Sequence, residues 1–140
     1  MNASNPSDGR ISKTTPIDEA WVDAIADQYK DYHLASLPYF VVVIGKVEGD
    51  KEKLAAEIGV PKRDEFFAQM EKILEDNGSG FLVGDGLTWI DLYIAELVDF
   101  LLPFLPGWLD AFPKVVALRH KVQSIRQIKE WLEKRPVTTF

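Results

Sequence analysis

A nearly uncharged helical run that opens on a capping box constrains this chain more than any other feature. Residues Phe81 to Asp91 read F-L-V-G-D-G-L-T-W-I-D, and the apolar run Leu92 to Leu102 follows at once. Thr88 and Asp91 stand at the Ser/Thr-x-x-acid spacing of a helix N-terminus. The Thr88 oxygen is placed to accept the Asp91 amide, and the Asp91 carboxylate to accept the Thr88 amide. Leu87 and Leu92 hold the positions of a hydrophobic staple, which sets the angle at which the chain approaches the helix. Of the fourteen residues from Trp89 to Leu102 only Asp91, Glu96 and Asp99 are charged. A helix so apolar on all sides belongs at the centre of a domain.

The remainder of the chain reads as helices arranged around that one. Thr15-Pro16-Ile17-Asp18 is a second capping signal, with the hydroxyl at the cap, proline at the first helical position and an acid two residues on. From there Trp21, Val22, Ile25, Tyr29, Tyr32 and His33 recur at helical spacing, while Asp23, Asp27 and Asp31 recur at i, i+4 and i+8. At about 100° per residue the two sets fall on opposite faces. Pro38 predicts a kink or an end. The β-branched run Tyr39 to Ile44 suits a strand, but no second strand-like segment exists to pair with it, so it is read as helix continuing beyond a kink to about Lys46. A turn at Glu48-Gly49-Asp50 precedes a short helical piece, Lys51 to Ile58, closed by Gly59 as a C-terminal cap. Pro61 opens a helix marked by Phe66, Phe67, Met70, Ile73 and Leu74 that stops near Asn77-Gly78. Pro103 and Pro106 end the central helix, Pro113 starts another, and Ser124 caps a last one, Ile125 to Lys134. The expectation is one all-α domain, a bundle of about five or six helices over residues 13–140, behind a disordered leader at 1–12.

Composition excludes several functions. A net charge of -6 opposes nucleic acid or an anionic membrane as the main partner. The absence of cysteine removes disulfides, thiolate nucleophiles and thiolate metal ligands, and accords with a cytoplasmic protein. The polar N-terminal stretch lacks the apolar core of a signal peptide. The longest apolar runs are too short for a bilayer or are broken by charge and proline.

Few residues point to chemistry. Gly84-Asp85-Gly86 lacks the pattern of a phosphate loop, and Glu75, Asp76 and Asn77 fail the calcium-loop spacing. Thr88 and Asp91 are accounted for by capping. His33 is expected as a half-buried packing or pocket residue at the edge of an apolar face, and His120 on the solvent side. The stripe Asp23, Asp27, Asp31 is either a solvated face or a cleft of negative potential that receives a cation or a ligand amine.

The order of these motifs resembles the C-terminal helical domain of the glutathione transferases, most closely the sigma class of nematode type, which also contains haematopoietic prostaglandin D synthase. The resemblance rests on Gly84-x-x-Leu87-Thr88-x-x-Asp91, V-D-A-I-A-D-Q-Y-K-D-Y from Val22 to Tyr32, and G-D-K-E-K from Gly49 to Lys53. It extends to A-L-R-H-K-V-Q-S-I from Ala117 to Ile125 and the ending W-L-E-K-R-P-V-T-T-F. It implies a family that conjugates glutathione to hydrophobic electrophiles, with most of the glutathione site and a thiolate-stabilising tyrosine in an N-terminal thioredoxin-like domain. Met1 to Ser12 resembles no part of that domain, so no conjugation is expected from this polypeptide alone. By the same resemblance, Asp31 matches the aspartate that contacts the γ-glutamyl amine of glutathione bound in a neighbouring subunit of a homodimer. His33, Tyr39 and Phe140 fall where the family lines its pocket for hydrophobic small molecules. Asp27 matches an interface acid that holds a divalent ion in some sigma members, but Lys30 replaces another such acid, so no metal is expected. The alternative to a transferase reduced to its helical half is a non-catalytic ligand-binding or protein-interaction module.

Overall fold

The structure is a computed structural model, and it describes residues 15–125 together with Glu130, Glu133 and Lys134. Over residues 15–125 there are five α-helices and no strand: α1 Pro16–Val43, α2 Lys51–Leu54, α3 Val60–Asn77, α4 Trp89–Phe104 and α5 Pro113–Ser124; Glu130, Glu133 and Lys134 are also helical. The all-α reading therefore holds. The boundary expected near residues 12 and 13, and most of the expected last helix, lie outside the described residues.

Helix α1 is the long axis. It spans 28 residues, about 42 Å at ~1.5 Å per residue. Its start is closed by the reciprocal pair read from the sequence: the Asp18 amide donates to Thr15 Oγ1 at 3.1 Å and the Thr15 amide to Asp18 Oδ2 at 3.3 Å. Pro38 lies inside the helix without ending it. The Pro38 ring and Leu34 are both exposed, so the bond that proline cannot make falls on the solvent side of the helix. The run from Tyr39 is helix, as the lack of a pairing strand requires.

A helical segment folds back on α1 from Asp50, which caps α2 by accepting the Lys53 amide at 3.1 Å. The expectation for Gly59 fails here. It is not a left-handed cap but a residue in right-handed helical geometry, φ -57° and ψ -56°. The chain runs without a break from α2 through a π-helical turn, Ala55–Gly59, into α3. What Gly59 supplies is closeness: a Cβ there would stand 2.7 Å from Cε2 of Tyr39. The π turn and α3 thereby pack directly on α1. The end of α3 is as predicted, with Gly78 left-handed at φ 73°.

Helix α4 packs on α5 and α1, and α5 also packs on α3. Pro103 falls within the last turn of α4 rather than ending it, and the helix closes at Leu105. Ile90, Ile94, Leu97, Val98 and Leu101 are buried, but Trp89, Tyr93, Glu96 and Phe104 are exposed. The central helix is therefore not enclosed on all sides, and an aromatic stripe remains open. Side chains of α3 and α4 tie α5 in place. Arg119 pairs with Asp99 of α4, with Gln123 Nε2 donating to the same carboxylate at 3.0 Å. Phe112, the N-cap of α5, gives no side-chain bond. Glu71 of α3 fills that role from across the bundle, accepting the Lys114 amide at 3.0 Å and the Val115 amide at 2.9 Å. Ser124, read as the cap of a later helix, ends α5 and donates its hydroxyl to the Lys121 carbonyl at 2.8 Å.

Glu71→Ala should lower the unfolding free energy by about 1 to 2 kcal/mol, the usual range for a lost cap. Gly59→Ala should destabilise as well, since the Tyr39 ring has to move. Urea denaturation measures both, and a Glu71→Ala midpoint equal to that of the parent chain would refute the cross-helix cap.

Candidate functional site

Two grooves flank α1. One lies between α1 and α3, with a volume of about 300 Å³, and includes Gln28, Asp31, Lys62, Glu65, Phe66 and Gln69. The other lies between α1 and α4, with a volume of about 220 Å³, and is lined by Tyr29, His33, Phe40, Glu96, Leu97 and Phe100. Asp31 and His33 are two residues apart, about 200° around a helix, which is why one serves each groove.

Asp31 is exposed, beside the Lys62–Glu65 pair whose charged atoms are 3.6 Å apart. Asp23 and Asp27 are exposed as well, so the stripe is solvated and only Asp31 meets a groove. His33 is exposed rather than half-buried, with its ring stacked at 6.2 Å on that of Tyr29. Tyr39, expected beside it, is buried against Trp108 and Gly59; the neighbouring Phe40 lines the groove instead. Phe140 lies outside the described residues. His120 is exposed, as expected.

The aromatic wall is continuous. Trp89 meets Tyr93 edge-on at 5.2 Å, Tyr93 meets Tyr29 edge-on at 6.1 Å, and Tyr29 stacks with His33. Burial, then the Glu96 carboxylate and Tyr93, push the Tyr29 hydroxyl above its ordinary pKa. Sequence reasoning missed Glu96, Phe40 and Phe100. The signal was present: Tyr93, Glu96, Leu97 and Phe100 follow i, i+3, i+4, i+7 on α4.

The capping box is formed, and it does more than cap. Asp91 is 0% exposed. Its carboxylate accepts the Thr88 amide at 2.8 Å, the Thr88 hydroxyl at 3.2 Å and the amide of Leu82, nine residues upstream, at 2.9 Å. Leu87 is buried and Leu92 half-buried. Burial raises the Asp91 pKa from 3.8 to about 6 against the opposing pull of those bonds and of Lys121. Among the described residues no three His, Asp or Glu gather to hold a metal, and no helix is long and apolar enough to cross a membrane.

The chain is similar in sequence and fold to known proteins. Residues 35–135 match a family described as the glutathione S-transferase C-terminal domain. Probable glutathione S-transferase 5 of Caenorhabditis elegans is 44% identical over 131 residues, 94% of this chain and 63% of that protein. A monomeric glutathione S-transferase from the hookworm Necator americanus is 42% identical over 93% of this chain and 63% of its own, with a TM-score of 0.85. A Nu-class enzyme from Haemonchus contortus is 42% identical over 91% of this chain and 61% of its own, with a TM-score of 0.81. The chain spans 60% to 63% of the length of the first curated relatives it matches.

The raised pKa of Asp91 gives a pH dependence of definite sign. Between about 3.8 and about 6 the folded chain holds a proton that the unfolded chain has released, so this group's contribution falls as pH rises through that window. At ~1.4 kcal/mol per pKa unit the change is on the order of 3 kcal/mol. The stability of the parent chain relative to Asp91→Asn should therefore decline from pH 4 to pH 7 in urea titrations. A pH-independent difference would overturn the assignment.

Proposed function

Because the chain belongs to the glutathione S-transferase family through its C-terminal domain, we propose that it forms the hydrophobic-substrate wall and part of the subunit interface of a glutathione transferase. Glutathione is the co-substrate of that family, and its conjugation to hydrophobic electrophiles is the reaction this half serves. The observation that carries the reading is the pair of grooves on opposite flanks of α1, one aromatic and one bearing an exposed carboxylate. The aromatic groove, with His33 at its rim, suits an apolar electrophile. Asp31 suits the amine of a glutathione held mainly by a neighbouring subunit, as the ammonium and carboxylate form a charge-assisted hydrogen bond. In this reading the helical domain covers residues 13–140, Phe140 is assigned to the hydrophobic pocket, and Tyr39 supports the pocket from the core rather than lining it.

The narrower assignments belong to the same proposal: sigma-like class from the quoted segments, a homodimer, a cytoplasmic site of action and a detoxifying role. Glutathione activation needs a thioredoxin-like half, which the described helices do not provide. A non-catalytic ligand-binding role is the second reading, favoured by the fact that residues of α1 and α4 alone line the aromatic groove.

Two assays separate these readings. The purified 140-residue chain, given glutathione and a generic aromatic electrophile, should show no conjugation above the uncatalysed rate; robust turnover would refute the need for a second half. A chimera that joins the thioredoxin-like half of a relative to this chain should conjugate. In it, Asp31→Asn should raise the KM for glutathione about tenfold, the loss expected for one charge-assisted bond. An unchanged KM would remove Asp31 from the site.

A further inference from the structure

The groove between α1 and α4 is not uniformly apolar: one charged side chain opens into it. Tyr29, Phe40 and Phe100 supply three aromatic rings, His33 an imidazole stacked on Tyr29, Leu97 an apolar side chain, and Glu96 a carboxylate. Phe40 and Leu97 are buried and Tyr29 is half-buried, so a ligand seated there loses much of its water on that side. Glu96 and Tyr29 line the same groove, and burial first, then the Glu96 carboxylate, push the Tyr29 hydroxyl above its ordinary pKa. Among the described residues no lysine or arginine pairs with Glu96, whereas Glu65, Asp64, Asp76 and Asp99 each pair with a lysine or arginine.

The electron-rich faces of tyrosine and phenylalanine attract a cation, and a carboxylate beside them strengthens that attraction while repelling anions. A neutral apolar ligand gains only the burial that any aromatic groove provides. An anion loses on both counts.

We propose that Glu96 sets the specificity of this groove toward small organic cations, aryl-alkyl ammonium compounds whose ring lies among Tyr29, Phe40 and Phe100 while the ammonium meets the Glu96 carboxylate. The proposal rests on the reading of this groove as the hydrophobic ligand site and adds its charge preference. A volume of about 220 Å³ admits a single ring with a short ammonium arm and little more. The carboxylate is exposed, so its pull is partly screened, and the preference over an uncharged ligand of the same shape is about three- to tenfold.

The test uses three probes of matched shape: benzyltrimethylammonium, its neutral carbon isostere with a tert-butyl group, and benzylsulfonate. Binding to the 140-residue chain is followed by ligand-observed NMR, with the parent chain and Glu96→Gln compared and circular dichroism confirming that both are folded. Support consists of an order cation, neutral, anion in the parent chain whose cation preference shrinks in Glu96→Gln to the small residue that the aromatic faces supply. Equal affinities for cation and neutral probe in the parent chain overturn the charge preference and leave the hydrophobic groove standing. Failure of all three to bind overturns both. Cation binding that survives unchanged in Glu96→Gln also overturns the assignment, because the charge then comes from elsewhere. Phe100→Ala serves as the control for place, weakening cation and neutral probes alike; if it weakens neither, the probes sit outside this groove and the proposal fails.

Discussion

A carboxylate with no access to water sits at the junction of three helices, and the bundle is arranged to make that position tolerable. Burying an ionised Asp91 is costly unless every lone pair that matters has a donor. It finds them in the Thr88 amide, the Thr88 hydroxyl and the Leu82 amide. The bond to Leu82 changes its meaning, because it ties the helix start to the loop that delivers Phe81, Leu82 and Val83 into the core. The same loop is braced from α3, whose Asn77 side chain donates to the Phe81 and Gly84 carbonyls at 2.8 and 2.7 Å. It is braced from α5 by Lys121, which donates to the Ser79 carbonyl at 2.8 Å and lies 4.4 Å over the Phe81 ring. One loop thus fixes α3, α4 and α5 together, and the buried acid is the group all of its other bonds presuppose.

The second joint is aromatic and holds α1. Tyr32 stacks on Phe66 at 4.6 Å and meets Phe67 edge-on at 5.5 Å, so α1 and α3 are joined through rings. Such pairs contribute roughly 0.5 to 1.5 kcal/mol each beyond their buried area. Further along, Tyr39 closes on Gly59 and stacks at 5.7 Å on Trp108, over whose ring Arg63 lies at 4.5 Å. With one flank of α1 committed to α3 and the π turn, the other is left to meet α4. The grooves follow from that division, since each forms where two cylinders touch along a line and diverge beside it.

Much of this was legible in the sequence where a local rule applies. The boxes at Thr15 and Thr88, the left-handed Gly78, and the start of α5 at Pro113 each depend on residues within a few positions of one another. What escaped depends on contacts across the chain. Gly59 looks like a cap from its neighbours alone, and only the Tyr39 ring, twenty residues earlier, explains why a side chain is excluded there. Glu71 carries no sign of capping a helix more than forty residues on. In the site, Asp31 and His33 were separable from helical spacing. Tyr39 and Phe40, adjacent on α1, needed the packed neighbours to decide which ring faces the groove and which the core. Glu96 was invisible as a site residue because one acid on an apolar helix reads first as a solubilising charge.

The open stripe on α4 then acquires a physical sense. Trp89 and Tyr93 are 44% and 51% exposed, yet neither is loose, because each ring is held by the next through Tyr29 to His33. Exposed aromatic surface that is already ordered surrenders little conformational freedom when something covers it, so more of the burial energy is realised as affinity. A wall of this kind discriminates poorly among apolar ligands of similar size, since a methylene more or less changes binding only modestly. Discrimination has to come from a group whose interaction changes sign between ligands. On this wall, Glu96 is that group.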